Sequence, residues 1–191
     1  MIKVLFISTL LAFSGLGEAE KVNVDVDAST VNWVGKKVTG QHNGTITLKG
    51  GRLEMEDGVL TGGLFTIDMA TISCEDLDGK GKANLEGHLK NEDFFDVEKY
   101  PTATFVITRV VPQGPGNYKV VGNMTIKNNT EEIQFAAKVE EKDGSYTATA
   151  DLTIDRSKFD VRYGSGSFFD NLGDKTIYDD FELSVNLVAT K

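Results

Sequence analysis

Cysteine is almost absent: Cys74 stands alone among 191 residues, so no disulfide can form within the chain. Stability must come from backbone pairing and burial. With only His42 and His88 as imidazoles, a structural zinc site of four Cys or His ligands has little support. Positive charge is also short. Twenty Lys and Arg face 29 Asp and Glu, a net charge of -9, whereas phosphate binding needs clustered basic residues. A nucleic-acid partner is therefore excluded, and adsorption to anionic lipid surfaces is unfavourable. A lipid, if this chain handles one, is held one molecule at a time. Nor is any apolar run long enough to span a bilayer, which takes about 20 residues. The run Val4–Phe13 follows Lys3 and precedes the small-residue site Gly17-Glu18-Ala19. Charge, apolar stretch and small residues in that order predict a secretory signal over residues 1–19, although a buried strand or helix is the alternative. No cysteine follows the run to carry a lipid anchor. The expected product, residues 20–191, is one soluble domain, periplasmic or secreted, without a stable membrane anchor, as a monomer or homodimer.

What is there is alternation. Ile133, Phe135, Ala137 and Val139 interleave with polar neighbours, as do Tyr146, Ala148, Ala150, Leu152 and Ile154, and again Phe181, Leu183, Val185, Leu187 and Ala189. A period of two places one dry face and one wet face on each strand, as in antiparallel sheets. Further strands are expected near Val31–Val38, Gly44–Lys49, Arg52–Glu56, Val59–Ile72, Thr102–Val111 and Tyr118–Lys127. Gly50-Gly51, Asp57-Gly58, residues 112–117, Asn128-Asn129 and Asp143-Gly144 are the expected turns. Eight or more short strands without an internal repeat predict an all-β sandwich or up-and-down barrel.

One stretch departs from this pattern. Leu85, His88 and Leu89 fall at helical spacing between Asp78, a possible cap, and Lys90. Such a helix, followed by Phe94-Phe95 and stopped before Pro101, suits a cover for one barrel end. Gly63, Ala103, Gly122, Ala137, Ala148 and Ala150 lie on expected inward faces, where they either leave room for a ligand or accommodate tight packing.

His88-Leu89-Lys90-Asn91-Glu92-Asp93-Phe94-Phe95-Asp96-Val97 and its continuation to Phe105 resemble the signature of the YceI-like family. Gly122–Thr130, Thr153–Val161 and the opening Asp27–Trp33 are similar to that family's pattern too. Residues 166–172 and the turn Asn128-Asn129-Thr130 depart from it. The resemblance implies an eight-stranded, antiparallel, lipocalin-like barrel, exported from a bacterium, whose interior takes a polyisoprenoid or similar lipid. No other cofactor is expected. Candidates for the ligand lining are Trp33, Phe65, Ile67, Met69, Phe105, Ile107, Phe135, Tyr146 and Phe181, each equally at home in a packed core. Leu85, Leu89, Phe94 and Phe95 are candidates for a lid, and His88 for a head-group contact or a satisfied buried histidine.

Catalytic signatures are missing. Gly164-Ser165-Gly166-Ser167 lacks nucleophile-elbow spacing. Cys74–Gly79 begins like a calcium loop, but Leu85 stands where the closing glutamate belongs. His42 reads as a turn residue and Cys74 as a packing residue. Two rivals to a lipid carrier remain: an enzyme built around His88 with Asp155 or Arg156, and a filled barrel that only binds partners.

Overall fold

The computed structural model describes residues 19–190, so the expected export signal lies outside the described residues except for Ala19. Eight antiparallel strands join in chain order into a closed up-and-down barrel. They are β1 (Glu20–Lys37), β2 (Gly40–Glu56), β3 (Val59–Cys74), β4 (Thr102–Pro112), β5 (Asn117–Ile126), β6 (Asn129–Lys142), β7 (Ser145–Asp155) and β8 (Ile177–Thr190). Among the described residues one α-helix, α1 (Gly79–Lys90), sits between β3 and β4, and 3-10 turns occupy Arg156–Phe159 and Gly173–Lys175. Because β1 pairs with both β2 and β8, the ring closes and neither terminal strand is left as an edge.

The alternation works as its period requires. Tyr146, Ala148 and Ile154 of β7 are buried, whereas Asp151 and Thr153 face solvent. Asp57-Gly58 and Asp143-Gly144 turn with both central residues at positive φ, the geometry whose twist suits a two-residue hairpin.

Four details differ from the sequence reading. Gly50-Gly51 is not a turn: β2 runs through it, and its register against β3 shifts there in a bulge. A Cβ on Gly51 would lie 2.8 Å from the Phe65 ring, so the glycine lets that ring rest against the wall. The β5–β6 turn falls one residue early, at Lys127-Asn128, because Ile126 pairs with Asn129. β1 starts at Glu20, eleven residues before the expected strand. Its Val22, Val24 and Val26 carry an alternating signal that is interrupted where the Asp25 carboxylate accepts the amides of Asp27 and Ala28. Finally, Asp78 occupies the N-cap position of α1, but its side chain makes no capping hydrogen bond.

The two ends of the barrel differ. At one end Val22, Leu53, Met55, Tyr146 and Ala189 are at most 2% exposed and form a solid plug. Leu89, Phe94 and Phe95, from α1 and the turn after it, are buried at the other end.

Candidate ligand-binding site

Between plug and lid the interior is hollow. A chamber of about 130 Å³ lies under the lid, with Trp33, Ile67, Met69 and Phe181 on its walls and Leu89, Phe94 and Phe95 closing it. A second, of about 110 Å³, reaches toward the plug and is lined by Phe65, Phe105, Ile107 and Phe135 with Ala137, Ala148 and Ala150. Val31, Ile67, Met124 and Leu183 line both chambers, so the two abut along those side chains. Either space exceeds the roughly 10–15 Å³ that one water needs, but away from the mouth of the first chamber the walls are almost wholly hydrocarbon and lack the two to four polar partners that would hold it.

Aromatic rings shape the second chamber. Phe65 and Phe105 stack at 6.4 Å between centroids, and Phe135 tilts against Phe105 at 5.5 Å. A Cβ on Gly122 would come within 2.5 Å of Phe105 Cζ. Gly122 therefore adds no cavity volume of its own; it lets the phenyl ring lie flat on β5. Ala103, Ala137, Ala148 and Ala150, by contrast, do border open space.

Eleven of the fourteen residues singled out from sequence line a chamber: Trp33, Phe65, Ile67, Met69, Leu89, Phe94, Phe95, Phe105, Ile107, Phe135 and Phe181. Three do not. Tyr146 belongs to the plug, paired with Ala189 on β8. Leu85 packs against the core from α1 without reaching a chamber. His88 turns its ring toward Tyr163, 4.3 Å away, and Phe94, 5.7 Å away, and its buried Nε2 has no hydrogen-bond partner. Val31, Ile46, Met124, Ile126, Ile154 and Leu183 are wall residues too, although none is among the candidate lining residues. Their signal was available: Val31 shares the phase of Trp33, and Met124 and Ile126 share one face of β5.

Ionisable groups gather at the mouth of the first chamber, where Lys36, Arg156, Tyr178 and Asp180 join the lining. Arg156 is 2% exposed. Its guanidinium donates to the carbonyls of Val161 (2.8 Å), Ile177 (3.0 Å) and Tyr178 (3.1 Å), pairs with Asp179 at 3.3 Å and lies 5.3 Å from the Phe94 ring centroid. Burial lowers its pKa, and the charges of Asp179 and Asp155 act against that shift. The side chain is a clamp between lid and β8. Asp155 is turned to Ser157, whose amide and hydroxyl it accepts. The trio His88, Asp155 and Arg156 thus does not converge on a cavity wall.

The barrel wall is paired over only part of its length at two seams, β3–β4, where Leu64–Asp68 pair with Thr102–Val106, and β6–β7. β6 and β7 pair only between Ala137–Lys142 and Ser145–Ala150. Beyond Ala137, β6 keeps β5 as its partner and the rest of β7 keeps β8. The far end of the gap is tied by Asn129 Nδ2 donating to the Phe159 carbonyl and Lys127 Nζ to that of Asp160. A cleft lined by Ala136, Lys138 and Asp151 shares Ala137, Thr149, Ala150 and Val185 with the second chamber.

The model of the YceI-like domain matches residues 22–189. The chain belongs to the YceI-like family. Among solved structures, this YceI-like barrel resembles Burkholderia cenocepacia BcnA, with a TM-score of 0.72 and 27% identity over 87% of this chain and 99% of that one. It shares its fold with a polyisoprenoid binding domain from Saccharophagus degradans implicated in plant cell wall breakdown, at TM-score 0.64 and 14% identity over 91% and 99% of the two chains. A curated relative, a UPF0312 protein of Vibrio cholerae, is 39% identical over 56 residues, which span 29% of this chain and 30% of that protein.

Proposed function

We propose that this protein is exported, loses residues 1–19, and carries one long apolar molecule, a polyisoprenoid or similar lipid, inside the barrel. The pair of abutting hydrocarbon-walled chambers carries this reading. Burying an apolar chain is worth about 0.8 kcal/mol per methylene, so ten carbons supply on the order of 8 kcal/mol before ordering costs. A dry tube collects that energy without specific chemistry. The YceI-like family and the polyisoprenoid-binding neighbour support the same ligand class. A carrier fits better than an enzyme, because the buried cation at the chamber mouth is held by three backbone carbonyls and its charge is paired with Asp179. The parted wall between β6 and β7 offers a way in that leaves the Arg156 clamp closed.

The experiment is organic extraction of protein from its native host followed by mass spectrometry. It is paired with titration of delipidated protein with an isoprenoid quinone, followed by the emission of Trp33. Trp33 is the only tryptophan in the sequence and stands on the first chamber's wall, so its emission reports occupancy. The expected result is one lipid per chain and a saturable change. Lipid-free native protein that also ignores added quinone would overturn the proposal. Intact mass of the exported protein tests removal of residues 1–19.

A further inference from the structure

The barrel also brings together three side chains that the ligand chambers do not use. His42 stands near the start of β2, Cys74 ends β3 and Asp76 follows two residues later, and the pairing of Gly44 with Cys74 sets these segments side by side. His42 Nδ1 lies 2.9 Å from Asp76 Oδ2, and Cys74 Sγ lies 3.2 Å from Asp76 Oδ1. One ligand atom from each residue lies within 4.8 Å of the others. Backbone bonds hold the frame: the Asn43 amide donates to Asp76 Oδ1 at 3.0 Å and the Glu75 amide to the Asn43 carbonyl at 2.9 Å. The Cys74 amide is fixed by Glu86 Oε1 at 2.9 Å.

We infer that His42 Nδ1, Cys74 Sγ and the Asp76 carboxylate form a binding site for one divalent ion of the zinc class. An imidazole nitrogen, a thiolate and a carboxylate suit zinc, with bonds of about 2.0–2.3 Å, so donor atoms now within 4.8 Å of one another need only small adjustments to reach the roughly 3.5 Å separation of tetrahedral ligands. Calcium fits poorly, since it takes six to eight oxygens and one ligand here is sulfur. Cys74 is fully buried, whereas the His42 and Asp76 side chains are 27% and 29% exposed, so the cluster opens to solvent on one side and water can complete the coordination. Coordination replaces the thiol proton of Cys74, which passes to solvent. One cysteine and two histidines argued against zinc by count; the fold assembles a site from one of each and a carboxylate that no spacing rule would have paired with them.

The test uses reduced protein stripped with chelator. Zn²⁺ is titrated by calorimetry, and Co²⁺ by absorption for the thiolate-to-metal charge-transfer band. The expected result is one equivalent bound with that band present. Cys74→Ser should abolish the band, and His42→Ala should weaken binding at least tenfold. The Trp33 response to quinone should survive in His42→Ala, which separates this site from the lipid proposal. Absence of saturable binding at one equivalent overturns the inference, as does Zn²⁺ affinity unchanged by His42→Ala. The His42 variant alters a partly exposed side chain, so it decides the matter even if Cys74→Ser fails to fold.

Discussion

Three charged residues, Arg156 at the chamber mouth and Asp76 and Glu86 away from the chambers, hold more of the structure than their number suggests. Arg156 donates to three backbone carbonyls and pairs by charge with one carboxylate from a position almost without solvent. Removing one partner of a buried ion pair costs about 3–5 kcal/mol, and here three carbonyls would lose their donors as well. Arg156→Ala is therefore expected to lower unfolding stability by that amount in urea denaturation; a loss under about 1 kcal/mol would contradict the clamp, being no more than an exposed pair contributes. Asp76 and Glu86 act at the same end of the barrel. Burial works to raise the Asp76 pKa, but the Asn43 amide, His42 and Cys74 together hold it at about 2 against an ordinary 3.8. Glu86 is lowered by the Cys74 amide, then by the Ser73 hydroxyl. A depressed folded-state pKa gives stability above the unfolded pKa that is lost as pH falls through the folded one. Melting temperature in chelator should thus drop as pH falls below 3.8 toward 2, and Asp76→Asn should flatten part of that slope. An identical slope in the variant would remove Asp76 from the account.

Strands whose dry face meets a core could be read directly, and those with interruptions could not. β6, β7 and the last two-thirds of β8 announced themselves because every second residue is apolar and no bulge disturbs their phase. β1 did not, since the bend from Asp25 to Thr30 shifts its register and separates Val22, Val24 and Val26 from Val31 and Trp33. Gly50-Gly51 looks like a turn to any local rule, and only the Phe65 ring on the neighbouring strand explains why the chain continues straight. The lid was half legible. Spacing placed Leu85, His88 and Leu89 on one helical face, but the angle of α1 lets Leu89 alone reach the chamber. The parted wall was not legible at all, because strand composition on either side of Ala137 and Ala150 is the same and pairing extent depends on barrel curvature. That gap makes its own prediction. Amides of residues 129–136 and 151–155 that face the opening lack a cross-strand acceptor, so they should exchange with solvent faster than amides in the β1–β2 ladder. Mass-spectrometric or NMR hydrogen exchange measures this, and equal protection on both sides of the barrel would mean the wall is closed in solution.

At the scale of the molecule, cavity size limits what the interior can hold. An engineered cavity of about 150 Å³ lined by Leu, Ile and Phe takes one benzene, six carbons. Chambers of about 130 and 110 Å³ therefore accommodate roughly a dozen carbons without movement of the walls. Up to that length each added methylene should tighten binding by about 0.8 kcal/mol, close to fourfold. Beyond it, carbons must lie in the β6–β7 gap or outside, half wet, and the gain per carbon should fall sharply. A series of linear isoprenoid alcohols of increasing length, titrated against Trp33 emission, reads this out as a steep rise followed by a plateau. Ala150→Leu places three extra carbons where the second chamber meets the gap. It should move the break to shorter chains while leaving the affinity of the shortest members, which need only the first chamber, unchanged. If affinity climbs at a constant rate past twenty carbons in both proteins, the chain is not held where these chambers lie, and the two hollows are packing voids rather than a binding tube.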